Sequence, residues 1–146
     1  MTPNPKPFNA SPPTDPAIGY SVTRRADGGM HYVFTKSDLP TVTHWREFAA
    51  QHLLTADHNT RNLYDLRPLA AISTEALHAA LEMANDPAAR NVRTAIVVSG
   101  PTMATMLKDI TLLSERGNLR LFTEIDQAEA WLAQPFSRLL KQDRQP

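Results

Sequence analysis

Two hydroxyl residues, Ser73 and Thr74, stand at the expected start of a helix, a short step after Asp65-Leu-Arg67 closes an apolar run. A hydroxyl in that place has two uses. It can cap the helix by accepting a backbone N–H, or it can carry a phosphate, which the positive end of a helix favours electrostatically. A phosphate on Thr74 would leave the fold intact and act by repelling or recruiting a partner. Asp65 and Arg67 can pair with each other, the commoner outcome for two such neighbours. Ser99-Gly100-Pro101 lies at the mouth of a second apolar run. There, outside the carboxyl end of a strand, backbone N–H groups could meet an anion.

Catalysis finds less support. Val98-Ser-Gly-Pro lacks the Gly-x-Ser-x-Gly elbow, and no Gly-x-x-x-x-Gly-Lys loop occurs. Asp109, Glu115 and Glu124 read as solvated charges, and no nucleophile, base and orienter fall into order. The expectation is a chain with no catalytic residue and no cofactor, with a small hydrolase as the weakest alternative. His44 and His52 lie eight residues apart, His58 follows in a loop, and His31 reads as a solvent-side strand residue. None has the spacing of a metal site, so no metal is expected.

The elements that must position these groups follow from pattern. Residues 1–17 hold six of the twelve prolines and one large apolar side chain, Phe8, so they read as a disordered leader. Tyr20–Arg24 and Met30–Phe34 are rich in aromatic and β-branched residues and flank Asp27-Gly28-Gly29, which predicts a hairpin. Ser37 or Asp38 can cap a helix with Pro40 in its first turn and a stripe of Val42, Trp45, Phe48, Ala49 and Leu53. Asn62–Leu66 is a strand. The helix from Ser73 carries Ala76, Leu77, Ala80, Leu81 and Ala84 and stops at Asn85-Asp86-Pro87. Asn91–Ser99 is the most strand-like run, and its apolar centre Ala95–Val98 implies cover on both faces. A third helix bears Met103, Met106, Leu107, Ile110 and Leu113 and ends at Gly117. Leu119–Phe122 is a last strand, and a last helix opened by Thr123 or Asp126 carries Ile125, Ala128, Trp131 and Leu132. The order ββαβαβαβα predicts an α/β fold. Its sheet is mixed and five-stranded, the hairpin placing the first strand antiparallel at an edge and the rest running parallel, with four helices. One domain spans 18–140, with a frayed tail over 141–146.

Composition sets the class. The chain has 146 residues, 42% of them apolar, and fifteen basic side chains balance fifteen acidic ones. No net field would hold a nucleic acid or an anionic bilayer. The absence of cysteine excludes disulfides and thiolate chemistry. No apolar run approaches the ~20 residues of a membrane span. A cytoplasmic location is the expectation.

Two stretches carry a family likeness. Asn62-Leu-Tyr-Asp65-Leu66 followed by Ile72-Ser-Thr74-Glu-Ala-Leu77 resembles the strand, loop and helix of the SpoIIAA-like group of the STAS superfamily. Leu121-Phe122-Thr-Glu-Ile-Asp-Gln-Ala128-Glu-Ala-Trp131-Leu132 resembles that group's closing strand and helix. The likeness covers about Tyr20 to Leu132. It implies a regulatory, non-catalytic protein-interaction module, acting on a protein partner or on a second copy as a homodimer. Thr74 falls on the family's phosphoacceptor position, while Ser73 stands where the family has Asp and Ala76 where it has Gly. The loss of the acidic neighbour weakens the case for control by a kinase. The resemblance also raises a second class, because SpoIIAA-like sheets are similar to those of Sec14-type lipid carriers. Binding of a lipid or small apolar ligand, covered by the Met103–Leu113 stripe, is therefore the main alternative.

Overall fold

The computed structural model describes residues 12–55, 59–101, 105, 108 and 119–135. Its first hairpin has the expected limits. Strand β1 (Tyr20–Arg24) pairs antiparallel with β2 (Met30–Phe34), Tyr20 facing Phe34 and Arg24 facing Met30. The turn needs both of its glycines. Gly28 has a φ of 93°, in the region that side chains avoid. At Gly29 a Cβ would run into the carbonyl of Arg61, so the hairpin approaches that neighbouring backbone only because it is missing.

Helix α1 (Leu39–Thr55) starts at Asp38, whose Oδ1 accepts from Thr41 N–H at 3.2 Å. Val42, Trp45, Phe48 and Ala49 of its expected stripe are buried; the Leu53 side chain lies outside the described residues. The Thr41 hydroxyl, fully buried, accepts from Gly19 N–H at 2.9 Å and ties the helix to the entry of β1.

Strand β3 (Thr60–Asp65) then lies parallel to β2, β4 (Val92–Val97) parallel to β3, and β5 (Leu119–Phe122) parallel to β4. The sheet order is β1-β2-β3-β4-β5. The expected mixed sheet with an antiparallel edge is therefore the one observed. Between β3 and β4, helix α2 (Thr74–Asn85) begins at Ser73 and stops one residue before Asp86-Pro87. Ala76, Leu77 and Ala80 of its expected stripe pack against the core and Ala84 is buried, while Leu81 is only partly buried and Ala79, outside the stripe, is fully buried. A 3-10 turn over Pro87–Asn91, not anticipated, carries the chain into β4.

Helix α3 (Ile125–Leu132) follows β5 and buries Ala128, Trp131 and Leu132. Neither Thr123 nor Asp126 caps it; Glu124 holds the cap position without a side-chain hydrogen bond, and Asp126 contributes only its charge to the first turn. The third expected helix falls largely outside the described residues, of which Pro101, Thr105 and Lys108 are helical. The Met103–Leu113 stripe, residues 1–11 and the tail after Pro135 lie outside them too. Among the described residues no helix is long and apolar enough to cross a membrane.

Strand alternation divides the interior in two. Tyr20, Tyr32, Phe34 and Ile96 face α1 and α2 in one cluster, while Leu63, Ala95 and Val97 face α3 in the other. The apolar centre of β4 is thus buried from both sides, as its composition predicts.

Candidate functional site

Beneath α1 and α2 the sheet leaves a cavity of about 390 Å³. Its floor is a series of rows that run across the strands. In one row Tyr32, Tyr64 and Ile96 are side by side. The Tyr32 and Tyr64 rings stack with centroids 4.4 Å apart and planes 7° from parallel. Trp45 on α1 donates from Nε1 to the Tyr64 hydroxyl at 3.1 Å. Burial pushes both phenols far above their ordinary range, Tyr64 helping to raise Tyr32. They are neutral at any physiological pH, and their hydroxyls serve as hydrogen-bonding groups only.

The next row toward the strands' beginnings is polar. Arg24 is opposite Met30, Met30 N–H donates to the Asn62 Oδ1 at 2.9 Å, Asn62 is paired with Thr94, and Thr94 with Leu119. All five line the cavity. Asn62 is only 8% exposed. Its carboxamide oxygen is held by Met30, which assigns the NH2 group as the free end. His52 on α1 also lines the space, its ring 4.5 Å from that of Phe48. Burial, with the charge of Arg24 behind it, lowers the His52 pKa, so its imidazole is neutral at pH 7.

The residues singled out from sequence lie elsewhere. Asp65 and Arg67 do pair, Nε donating to Oδ1 at 2.9 Å and Nη2 to Oδ2 at 2.7 Å, while Arg67 N–H adds a bond of 3.0 Å to Oδ1. These bonds hold the Asp65 carboxyl below its usual range and raise the Arg67 guanidinium. Ser99 and Gly100 follow β4 at the same end of the sheet, since Asp65 is paired with Val97. Ser99 is exposed, and a Cβ at Gly100 would meet open space. No hydrogen bond among the described residues joins Ser99 or Gly100 to the Asp65–Arg67 pair.

Ser73 is the cap of α2. Its Oγ accepts from Ala76 N–H at 3.1 Å and donates to the Ser37 carbonyl at 2.7 Å, while Ser73 N–H donates to Ser37 Oγ at 3.1 Å. Thr74 beside it is exposed. The structure thus separates three places: an Asp65–Arg67 pair, a Ser37–Ser73 interlock, and the cavity.

Two histidine readings change in different ways. His44 accepts or donates at Nδ1 with the Tyr20 hydroxyl at 2.7 Å. His31 is not on a wet face. It is partly buried, and its Nε2 is shut off from solvent without a hydrogen-bond partner among the described residues, because the sheet face it shares with Leu63 is covered. His58 lies outside the described residues.

Sequence reading missed the cavity. The available signal was Asn62 and Thr94, polar residues at alternate positions in strands whose neighbours Tyr64 and Ile96 face the same way. It also missed Arg93, which is 1% exposed. Its Nη1 donates to the carbonyls of Trp131 at 3.0 Å and Gln134 at 2.6 Å, at the C-terminal end of α3. Arg61, beside it on β3, donates from Nη2 to the Gln134 carbonyl at 3.2 Å and from Nε to that of Leu132 at 2.5 Å. Two guanidinium groups therefore cap the negative end of one helix.

No protein-family model matches the sequence, and neither does any curated protein. A comparison of structures does find likeness. One match is an uncharacterised protein of the DUF3478 family from Shewanella loihica PV-4, described as having a SpoIIAA-like fold. It superposes with a TM-score of 0.58 at 17% identity, over 79% of this chain and 94% of that one. Likeness at that identity speaks for the fold, and on it this chain has a SpoIIAA-like α/β architecture.

Proposed function

We propose that the protein is a non-catalytic binding module whose cavity takes up a small, mainly apolar ligand. The observation that supports this is the 390 Å³ space between the sheet and α1 and α2, within the ~300–1,000 Å³ typical of small-molecule sites. Aromatic and aliphatic side chains form most of its wall, and Arg24, Asn62 and Thr94 form a polar row across the strands. Water finds few partners over Tyr32, Ile96 and Leu69, so an apolar occupant suits the space better. The reading moves the ligand site away from the Met103–Leu113 stripe and onto other components of the fold, the strands and first two helices.

Native mass spectrometry of freshly purified protein should show an adduct that leaves on denaturation. The same protein, delipidated, should bind 1-anilinonaphthalene-8-sulfonate at one saturable site. A bare mass together with no saturable dye binding would overturn the proposal. Turnover of general esterase or phosphatase substrates would overturn its non-catalytic part, which is supported by Asp65 being bonded to Arg67 rather than to a base.

One observation favours a second reading, in which the start of α2 docks a protein partner. Ser73 is locked inside its interlock, yet Thr74 beside it is exposed, at a helix end where a phosphate is tolerated. Thr74→Glu should shift stability by no more than about 0.5 kcal/mol and weaken capture of a partner that co-purifies with the native protein. Unchanged capture would end that reading.

A further inference from the structure

The cavity is polarised along the strands, and we infer from this that its ligand is an apolar-chain monocarboxylate, held with its body over Phe34, Tyr64 and Ile96 and its head at Arg24, Asn62 and Thr94. The inference rests on the ligand-binding proposal above and adds the chemistry of the ligand. Three observations carry it.

The first is the order of the rows. Phe34 and Leu66 lie at one end of the floor, Tyr32, Tyr64 and Ile96 in the middle, and the row of Arg24, Met30, Asn62 and Thr94 at the other. Phe34 and Met30 are four residues apart on one strand, so the graded floor is about 13 Å long at the ordinary strand rise. That is the span of an extended chain with one polar end; Thr60 extends the polar end along β3, and Ser37 at the far end is bonded to Ala71 and Ser73.

The second is the direction of the hydrogen-bonding groups. The Asn62 carbonyl oxygen is used by Met30 N–H, so what Asn62 offers the cavity is its N–H groups. Thr94 next to it contributes a hydroxyl, and Arg24 a guanidinium. Arg24 is exposed and steadied by its Nη1 bond to the Gly28 carbonyl at 2.9 Å, so it stands at the rim. Arg24 and the Asn62 NH2 group can only donate there and the Thr94 hydroxyl can donate as well, which fits an acceptor head.

The third is charge. Among the described residues that line the cavity there is one guanidinium, Arg24, and no carboxylate. Over a low-dielectric floor a single fixed cation selects an anion and penalises a second cation.

The test holds the ligand's body constant and changes its head. Decanoate, decanol and decyltrimethylammonium, each below its micelle concentration, are titrated calorimetrically into the delipidated full-length protein. Decanoate is expected to bind about tenfold or more tightly than decyltrimethylammonium, the size of one charge-assisted hydrogen bond, with decanol in between. Arg24→Gln and Thr94→Val should each shrink the preference for decanoate over decyltrimethylammonium and weaken decanol less than decanoate. Urea midpoints of both variants show that they fold. Equal affinity for decanoate and the ammonium, or a preference untouched in both variants, would overturn the inference while the cavity proposal stands. Failure of all three probes to bind would remove the cavity proposal and this inference with it.

Discussion

The sheet's two faces are filled in opposite ways. Toward α3, Leu63, Ala95 and Val97 meet Ala128 and Leu132 with every one of these side chains sealed from solvent. Toward α1 and α2 the strands carry the rings of Tyr20, Tyr32, Phe34 and Tyr64, yet the space beside them amounts to 390 Å³. Small side chains allow close approach on the first face. On the second, rings stacked on each other and hydrogen-bonded through Trp45 and Tyr64 make a rigid wall that helices rest on without filling. One face is therefore built for stability, and the other keeps a volume that stability alone would not retain.

Mutations should separate the faces. The largest effect is expected from Arg93→Met, which removes the buried guanidinium from the carbonyls of Trp131 and Gln134. About 3 kcal/mol of stability should be lost in urea unfolding, because the charge-assisted hydrogen bonds of a fully buried side chain disappear and, among the described side chains, only Arg61 still donates to that helix end. Ligand affinity on the other face should not move.

Next comes a matched pair of enlargements. Ala128→Leu, at a residue with 0% exposure, should cost about 1–3 kcal/mol by overpacking. Ala80→Leu, at a residue lining the cavity, should stay within about 1 kcal/mol of the native stability or raise it, and should abolish dye binding. Equal losses from the two would mean that the faces are equally tight.

The smallest effect tests the end of the sheet outside both faces. Asp65 has a depressed pKa through its bonds to Arg67, so its contribution is full above the unfolded carboxyl value, ~3.9, and fades as pH falls through the lower folded value. Asp65→Asn should therefore cost about 1 kcal/mol at pH 7, modest because Arg67 is largely solvated. The difference between variant and native protein should vanish in acid. A gap independent of pH would show that the ion pair is not its source.

Much of this architecture was legible before any coordinates. Tyr20–Arg24 and Met30–Phe34 were bounded correctly because β-branched and aromatic runs met a Gly-Gly turn, and the Ser73 start and Asn85 stop of α2 are local chemistry. What stayed hidden depends on what lies across from a residue. His31 alternates with Met30 and Tyr32 as a solvent-side residue would, and only cover on the second face buries its Nε2. The Pro87–Asn91 turn had no pattern of its own beyond one proline. The cavity was illegible for a deeper reason. Periodicity reports which side chains turn inward, and an apolar stripe reads the same whether its atoms touch a neighbour or face a hollow. Asn62 and Thr94 were the exceptions in that pattern, and they mark the site.

The paired guanidinium groups under α3 also bear on assembly order. Arg61 and Arg93 occupy neighbouring positions on β3 and β4, their backbones about one strand spacing apart, ~4.8 Å, and the charge of Arg61 is felt at Arg93. A ribosome delivers both long before it delivers Leu132 and Gln134. Docking of α3 therefore brings carbonyl acceptors to two cations that β3 and β4 have already set side by side. The end of α3 thus acts as a latch, closing over strands that were made well before it.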